Sequence, residues 1–225
     1  FEGRRGFFHS HAPNSEPDKA VAELGQTWET LRLALKPFPS CRYSHAAMQA
    51  LITIREEHSL NWANIEEVEI GLPETGWNLI GDPLEDKRQP KGIVDGQFSM
   101  PFCAAVALRE GNMYWDDYKK HLDDYDTLAL CHKVNVIVDP RAQAEFPANM
   151  AGASQVKSNG QTFEAFVSVP KGEPDNFMSQ EEIRTKFDGL CQPYLDEKES
   201  SKLAAAILTL EEANSISAFM ALSRS

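Results

Sequence analysis

The sequence predicts an α+β fold: a small mixed sheet with packed helices over residues 28–172, a connector before it at 1–27, and a run of helices after it at 173–225. Three observations carry this reading. Several short stretches alternate apolar and polar residues with the period of a half-buried strand, and longer stretches between them repeat at helical spacing. Beyond Pro170-Lys171-Gly172-Glu173-Pro174 only the helical period remains.

Residues 1–27 mix Gly, Pro, Asn, Ser and charge, with one short helix predicted at 18–24 behind Pro17 and Asp18. Leu31, Leu33 and Leu35 then alternate with Arg32, Ala34 and Lys36, which predicts a strand with Lys36 on the face opposite the leucines. Pro37 and Pro39 cannot continue that strand. Ala46, Ala47, Ala50, Leu51 and Ile54 fall at helical spacing and predict a helix over 42–58. Residues 65–72 predict a second strand, with Val68, Ile70 and Leu72 on one face and Glu67 and Glu69 on the other.

Residues 73–94 carry prolines, glycines and the charged run Glu85-Asp86-Lys87-Arg88, and read as a long loop with Arg88 and Lys91 facing solvent. A helix over 97–110 follows, capped by Asp95 and ended by Gly111-Asn112, with Phe98 and Phe102 inward. Two short acidic helices over 114–131 lead to a strand at 133–138, closed by Asp139-Pro140. Strands at 153–157 and 161–169 flank Ser158-Asn159-Gly160, a strong hairpin signal. Ser179 with Glu182 forms a capping box for a helix whose Ile183, Phe187 and Leu190 point inward, and helices at 198–209 and 214–222 complete the chain.

The net charge of −12, from 34 acidic against 22 basic residues, argues against sequence-independent binding to nucleic acid or to an anionic membrane surface. A small anion can still be held by a local basic pocket. No apolar run approaches the roughly 18 residues a membrane span needs, so the chain reads as soluble. Cys41, Cys103, Cys131 and Cys191 lie far apart, without a CxxC pair or a zinc spacing. They read as reduced thiols of an intracellular protein, three of them in the core, with no metal implied. Asp116, Asp117, Asp123, Asp124 and Asp126 fit no Ca²⁺ loop and read as an exposed acidic helix. Dinucleotide, P-loop and GxSxG signatures do not occur.

The densest chemistry lies in Leu35-Lys36-Pro37-Phe38-Pro39-Ser40-Cys41-Arg42-Tyr43-Ser44-His45-Ala46-Ala47. A strand, a rigid turn and a helix start crowd Lys36, Cys41, Arg42, Ser44 and His45 around a junction where backbone N–H groups and the helix dipole favour anions. This stretch, followed by Gly96-Gln97-Phe98-Ser99-Met100-Pro101-Phe102-Cys103-Ala104-Ala105, resembles the MmgE/PrpD family, whose members include 2-methylcitrate dehydratase, cis-aconitate decarboxylase and iminodisuccinate epimerase.

The resemblance implies that residues 28–172 form a lid-like domain and that residues 173–225 return to an all-helical domain built mostly from an N-terminal half. The Gly-Phe-rich opening Phe1-Glu2-Gly3-Arg4-Arg5-Gly6-Phe7-Phe8 corresponds to the family's midpoint, so that half is expected on the same or another chain. The implied function is a lyase, first a dehydratase of 2-methylcitrate or a related alkylcitrate. A cis-aconitate-type decarboxylase and an iminodisuccinate-type epimerase are alternatives. No cofactor is implied; the implied partner is a small polycarboxylate and the implied assembly a homodimer, in the cytoplasm or, in a eukaryote, the mitochondrial matrix.

Lys36 at a strand end is ordinarily a solvated residue, but the resemblance implies an active-site lysine there, able to hold a carboxylate or donate a proton. His45 is either a plain core histidine or a general acid/base; the family has a histidine at this motif position. Arg42 can clamp a carboxylate in two-point fashion or serve a salt bridge. Cys41 stands near a helix start, an environment that activates thiols, and certain decarboxylases of the family carry histidine there. Gln97 and Ser99 either bind substrate carboxylate or cap their helix. Against the enzyme readings stand a non-catalytic interaction module with exposed apolar faces on its last helices, and a Cys41-dependent enzyme.

Overall fold

The computed structural model describes residues 3–11, 14 and 16–223. Phe1 and Glu2 of the opening segment lie outside them. The chain divides into two compact units, residues 1–34 and 35–225. Within the first, Phe7–His11 is a short helix, and Pro17–Ala20 and Glu29–Arg32 are 3-10 turns, so the predicted helix at 18–24 shortens to a single turn.

The second unit is built on four strands: β1 (Ile65–Leu72), β2 (Val134–Val138), β3 (Gly152–Ser158) and β4 (Gln161–Val167), in the order β2-β1-β3-β4. β1 and β2 run parallel, with Val68 opposite Val134 and Leu72 opposite Val138. The other two pairings are antiparallel. The mixture follows from the connections, since a parallel pair needs a long crossover and residues 74–131 supply it with helices. β3 and β4 are joined directly by Asn159 (φ 51°) and Gly160 (φ 73°), the paired left-handed residues of a tight hairpin turn.

Two helices cover one face of this sheet. α1 (His45–Glu57) packs on β3 and β4, burying Ala47, Met48, Leu51 and Ile54. α2 (Met100–Glu110) lies between α1, β2 and a later helix at Tyr125–Cys131, and every residue from Met100 to Leu108 is buried. Nine consecutive residues without a charge or a side-chain hydroxyl leave that helix no wet face. Full burial of a side chain such as Phe102, Met48 or Ile70 contributes roughly 1.5–3 kcal/mol. The core joins these helices to Val68, Ile70 and Leu72 of β1 and Val134 and Val136 of β2.

Several expectations are corrected. The strand expected at 30–36 is absent: Glu29–Arg32 turns as a 3-10 helix, and Leu31 and Leu33 are 82% and 62% exposed. The alternation there is genuine, but a strand needs a neighbour to pair with, and these leucines meet no sheet. Residues 73–94 are not an open loop. They fold into short turns at Glu74–Gly76, Trp77–Gly81 and Leu84–Lys87, pinned by buried Ile80 and by Trp77, whose indole N–H donates to the Val136 carbonyl.

Arg88 turns inward to the Val134 carbonyl instead of facing solvent. α2 begins at Met100 with Ser99 as its cap, while Asp95 sits in a separate turn, Ile93–Gln97, and Phe98 is 38% exposed. The two acidic helices form as α3 (Asp117–His121) and α4 (Tyr125–Cys131).

After β4 the chain forms α5 (Gln180–Cys191), started by the predicted capping box, and α6 (Glu197–Leu208). Their mutual contact leaves Ile183, Leu190, Ile207 and Leu208 well exposed, and Ile216 and Met220 of the last short helix are exposed too. Among the described residues no helix is long and apolar enough to cross a membrane.

Candidate functional site

Pro37 and Pro39 stiffen the approach to α1, and residues 39–41 are then fixed from two sides. Gln97 Nε2 and the Tyr118 hydroxyl both donate to the Pro39 carbonyl, at 3.2 and 2.7 Å, and the Cys41 N–H donates to the Gln97 carbonyl at 2.9 Å. A 3-10 turn, Arg42–Ser44, delivers His45 as the first residue of α1. Inside the turn the Ser40 and Ser44 hydroxyls are 2.8 Å apart and Ser44 Oγ donates to the Cys41 carbonyl at 2.7 Å. The polar groups of this buried turn are thereby satisfied locally.

The Ser40 carbonyl is the meeting point. Lys36 Nζ donates to it at 3.1 Å, and its presence beside the His45 ring favours the charged form of the imidazole. His45 is 2% exposed, with the Phe38 ring edge-on at 5.7 Å. Its Nε2 is shut off from solvent and has no partner. Burial draws the His45 pKa down to about 4, reinforced by the cations of Lys36, Arg42 and Lys186 and opposed by the bond to the Ser40 carbonyl. At neutral pH the ring is therefore uncharged. In the tautomer that carries its hydrogen on Nδ1, Nε2 presents a free lone pair, which is a proton acceptor.

Two ammonium groups near this ring are spent on neutral carbonyls. Lys36 holds Ser40, and Lys186, from α5, donates to the Lys36 carbonyl at 2.5 Å. Arg42 grips the Glu173 carboxylate with both Nε, at 2.6 Å, and Nη2, so this pair is neutral as a unit. The neighbourhood of His45 thus keeps about two uncompensated positive charges in a protein of net charge −12. An open cleft of about 370 Å³ lies alongside, lined by Phe38, Lys171 and Lys186 and also by the carboxylates Glu56, Glu181 and Glu182.

The structure gathers Lys36, Arg42, His45 and Cys41 at one place, with Gln97 bracing it from behind. Cys41 is buried, and its neighbour Cys103 is held as a thiol, its pKa pushed up to about 12 by burial. Ser99 does not join them. Its hydroxyl accepts from the Phe102 N–H at 3.0 Å as the cap of α2 and donates to the Lys87 carbonyl. Arg42 takes the salt-bridge role in this structure. Two members of the acidic run serve the fold: Asp117 accepts from the Tyr114 N–H, and Asp124 caps α4 and pairs with Arg109. Among the described residues no cluster of three or more His, Cys, Asp or Glu is arranged to hold a metal ion.

Lys186 and Glu173 were not legible as site residues. They lie 150 and 131 positions from their partners, and the capping box at Ser179 starts the Lys186 helix without saying which residues its face will meet.

A family model described as the MmgE/PrpD C-terminal domain matches residues 38–212. Among curated proteins, a cis-aconitate decarboxylase-like protein, oryM, of Aspergillus oryzae is 24% identical over 222 residues, covering 95% of this chain and 45% of its own length. A cis-aconitate decarboxylase of Aspergillus terreus is 22% identical over 219 residues, covering 93% of this chain and 44% of its own. The chain therefore spans less than half the length of these curated relatives.

Proposed function

The chain belongs to the MmgE/PrpD family, and from that premise we propose that it carries the proton-transfer side of a lyase acting on a small di- or tricarboxylic acid. One observation carries this reading: a buried, neutral imidazole whose Nε2 has no partner, with the ammonium groups of Lys36 and Lys186 nearby and bonded only to neutral carbonyls. Such a group is a base placed where carboxylates are attracted.

For a dehydration, His45 Nε2 takes the proton from the carbon next to a carboxylate, and the Lys36 ammonium assists departure of hydroxide at the neighbouring carbon. Lys36 and Lys186 offset the charge of the carboxylates throughout. Substrate entry moves the Phe38 ring that stands against the imidazole. The relatives' names favour a second reading, decarboxylation. There the carboxylate leaves as CO₂, the ammonium groups stabilise the electron pair left on carbon, and a protonated group returns a proton to it.

In either case further substrate contacts come from the part of the family polypeptide that these residues do not span, and the exposed apolar faces of α5 and α6 pack against it.

The test is to purify the protein with whatever polypeptide accompanies it, establish subunit masses, and follow 2-methylcitrate and cis-aconitate by proton NMR. Loss of water from the first or of CO₂ from the second, abolished by Lys36→Ala, supports the reading. Absence of both turnover and binding for every polycarboxylate tried rejects it in favour of an interaction module.

A further inference from the structure

We propose that Lys186 is a positioning residue of this site: by gripping the Lys36 carbonyl from α5, it holds Lys36 and His45 together on the Ser40 carbonyl. The inference rests on the reading of this region as a proton-transfer site.

Four groups form one continuous chain. Lys186 Nζ donates to the Lys36 carbonyl at 2.5 Å, Lys36 Nζ donates to the Ser40 carbonyl at 3.1 Å, and that same carbonyl acts on the His45 ring by favouring its charged form. A second tie, from the Leu35 N–H to the Gly172 carbonyl at 2.8 Å, anchors the segment just before Lys36. Pro37 already restricts the Lys36 backbone to extended conformations, and within that range Lys186 fixes the direction of the carbonyl. Rotation there would swing the Lys36 side chain away from Ser40 and change the surroundings of the imidazole.

A purely structural role explains Lys186 poorly. Its ammonium is half-buried, and that desolvation lowers its pKa. Glu182, one turn earlier on α5, is already paired with Lys171 at 3.2 Å. The Lys186 hydrogen bond goes instead to a neutral carbonyl, and a partly desolvated cation with such a partner returns little net stability. What it adds is a fixed backbone position and a positive field. The charged groups around His45 are Lys36, Arg42 and Lys186, with Glu173 acting through its bond to Arg42. The three cations all disfavour the imidazolium form.

The experiment is a carbon–proton NMR titration of the His45 ring in the 225-residue chain, in the wild type and in Lys186→Met and Lys186→Arg. His121 serves as internal reference, because its surroundings are Glu110, Arg109, Lys120 and Asp117 and not Lys186. Lys186→Met is expected to raise the His45 midpoint by about half a pH unit or more, roughly a threefold gain in proton affinity, with His121 unmoved. Lys186→Arg, which keeps charge and donor, is expected to restore the wild-type midpoint.

If Lys186→Met loses the folded His121 signal, Lys186→Gln replaces it. The rise reports the lost charge, so positioning is read at pH 7, where the ring is neutral in both proteins: an unchanged His45 midpoint, or His45 ring signals that do not move at pH 7 in the neutral variant, overturns the positioning role. The two proposals fail separately: polycarboxylate binding with an unmoved midpoint removes this one alone, while a moved midpoint in a chain and assembly that bind no polycarboxylate removes the proposed function alone.

Discussion

Replacing His45 by Gln should abolish a specific part of the protein's acid sensitivity. In the unfolded chain a histidine takes up its proton near 6.5, whereas in the native structure it does so only near 4. Between those values the unfolded state binds more protons than the native state, so stability falls as pH falls. A depressed native pKa thus gives stability that is complete above about 6.5, is lost on acidification and is fully lost below about 4. Integrating between pH 7 and pH 5 gives a loss of about 2 kcal/mol from this one side chain.

The group is 2% exposed, so solvent screening does little to reduce that figure. His121, which burial also holds below its usual value, contributes its own acid sensitivity, but it is common to both proteins and cancels in the comparison. The assay is urea unfolding followed by circular dichroism at pH 7, 6 and 5 for wild type and His45→Gln. The wild type should lose about 2 kcal/mol more than the variant over this range. Parallel stability curves for the two proteins would refute the assignment of His45 as a buried neutral base.

Two further outcomes follow from the geometry. Ser99→Ala should cost about 1 kcal/mol in urea unfolding through loss of the α2 cap while leaving polycarboxylate binding by isothermal titration unchanged, because its hydroxyl is engaged by Phe102 and Lys87. Gly172→Ala should destabilise by about 1–3 kcal/mol, since Gly172 has φ +92° and a Cβ there would lie 1.9 Å from the Leu35 carbonyl oxygen. Because that clash pushes on the segment carrying Lys36, the His45 ring signals in NMR should shift in the same variant.

The elements legible in the sequence were those whose signal is local. β1 has the predicted bounds, since Val68, Ile70 and Leu72 against Glu67 and Glu69 state a period that one covered sheet face satisfies. The Asn159-Gly160 turn and the capping box of α5 formed where predicted, because each is a backbone conformation or hydrogen-bond pair made within a few residues. The alternation of Leu31, Leu33 and Leu35 misled for the complementary reason: a strand is completed by a partner, and alternation says nothing about whether one is present. The cap of α2 moved from Asp95 to Ser99 because Pro101 stands comfortably in a first helical turn, while the preceding residues close a turn of their own.

For the site, the sequence by itself determined the cluster: Lys36, Cys41, Arg42 and His45 sit within ten residues of one another, and a rigid turn into a helix keeps them near each other in any fold that forms it. Tertiary structure alone decided their states. Burial beneath the packed core made His45 neutral, Glu173 satisfied Arg42, and α5 brought Lys186 to the Lys36 carbonyl. Desolvation and long-range pairing depend on what the whole chain lays over a residue, and no local spacing encodes that.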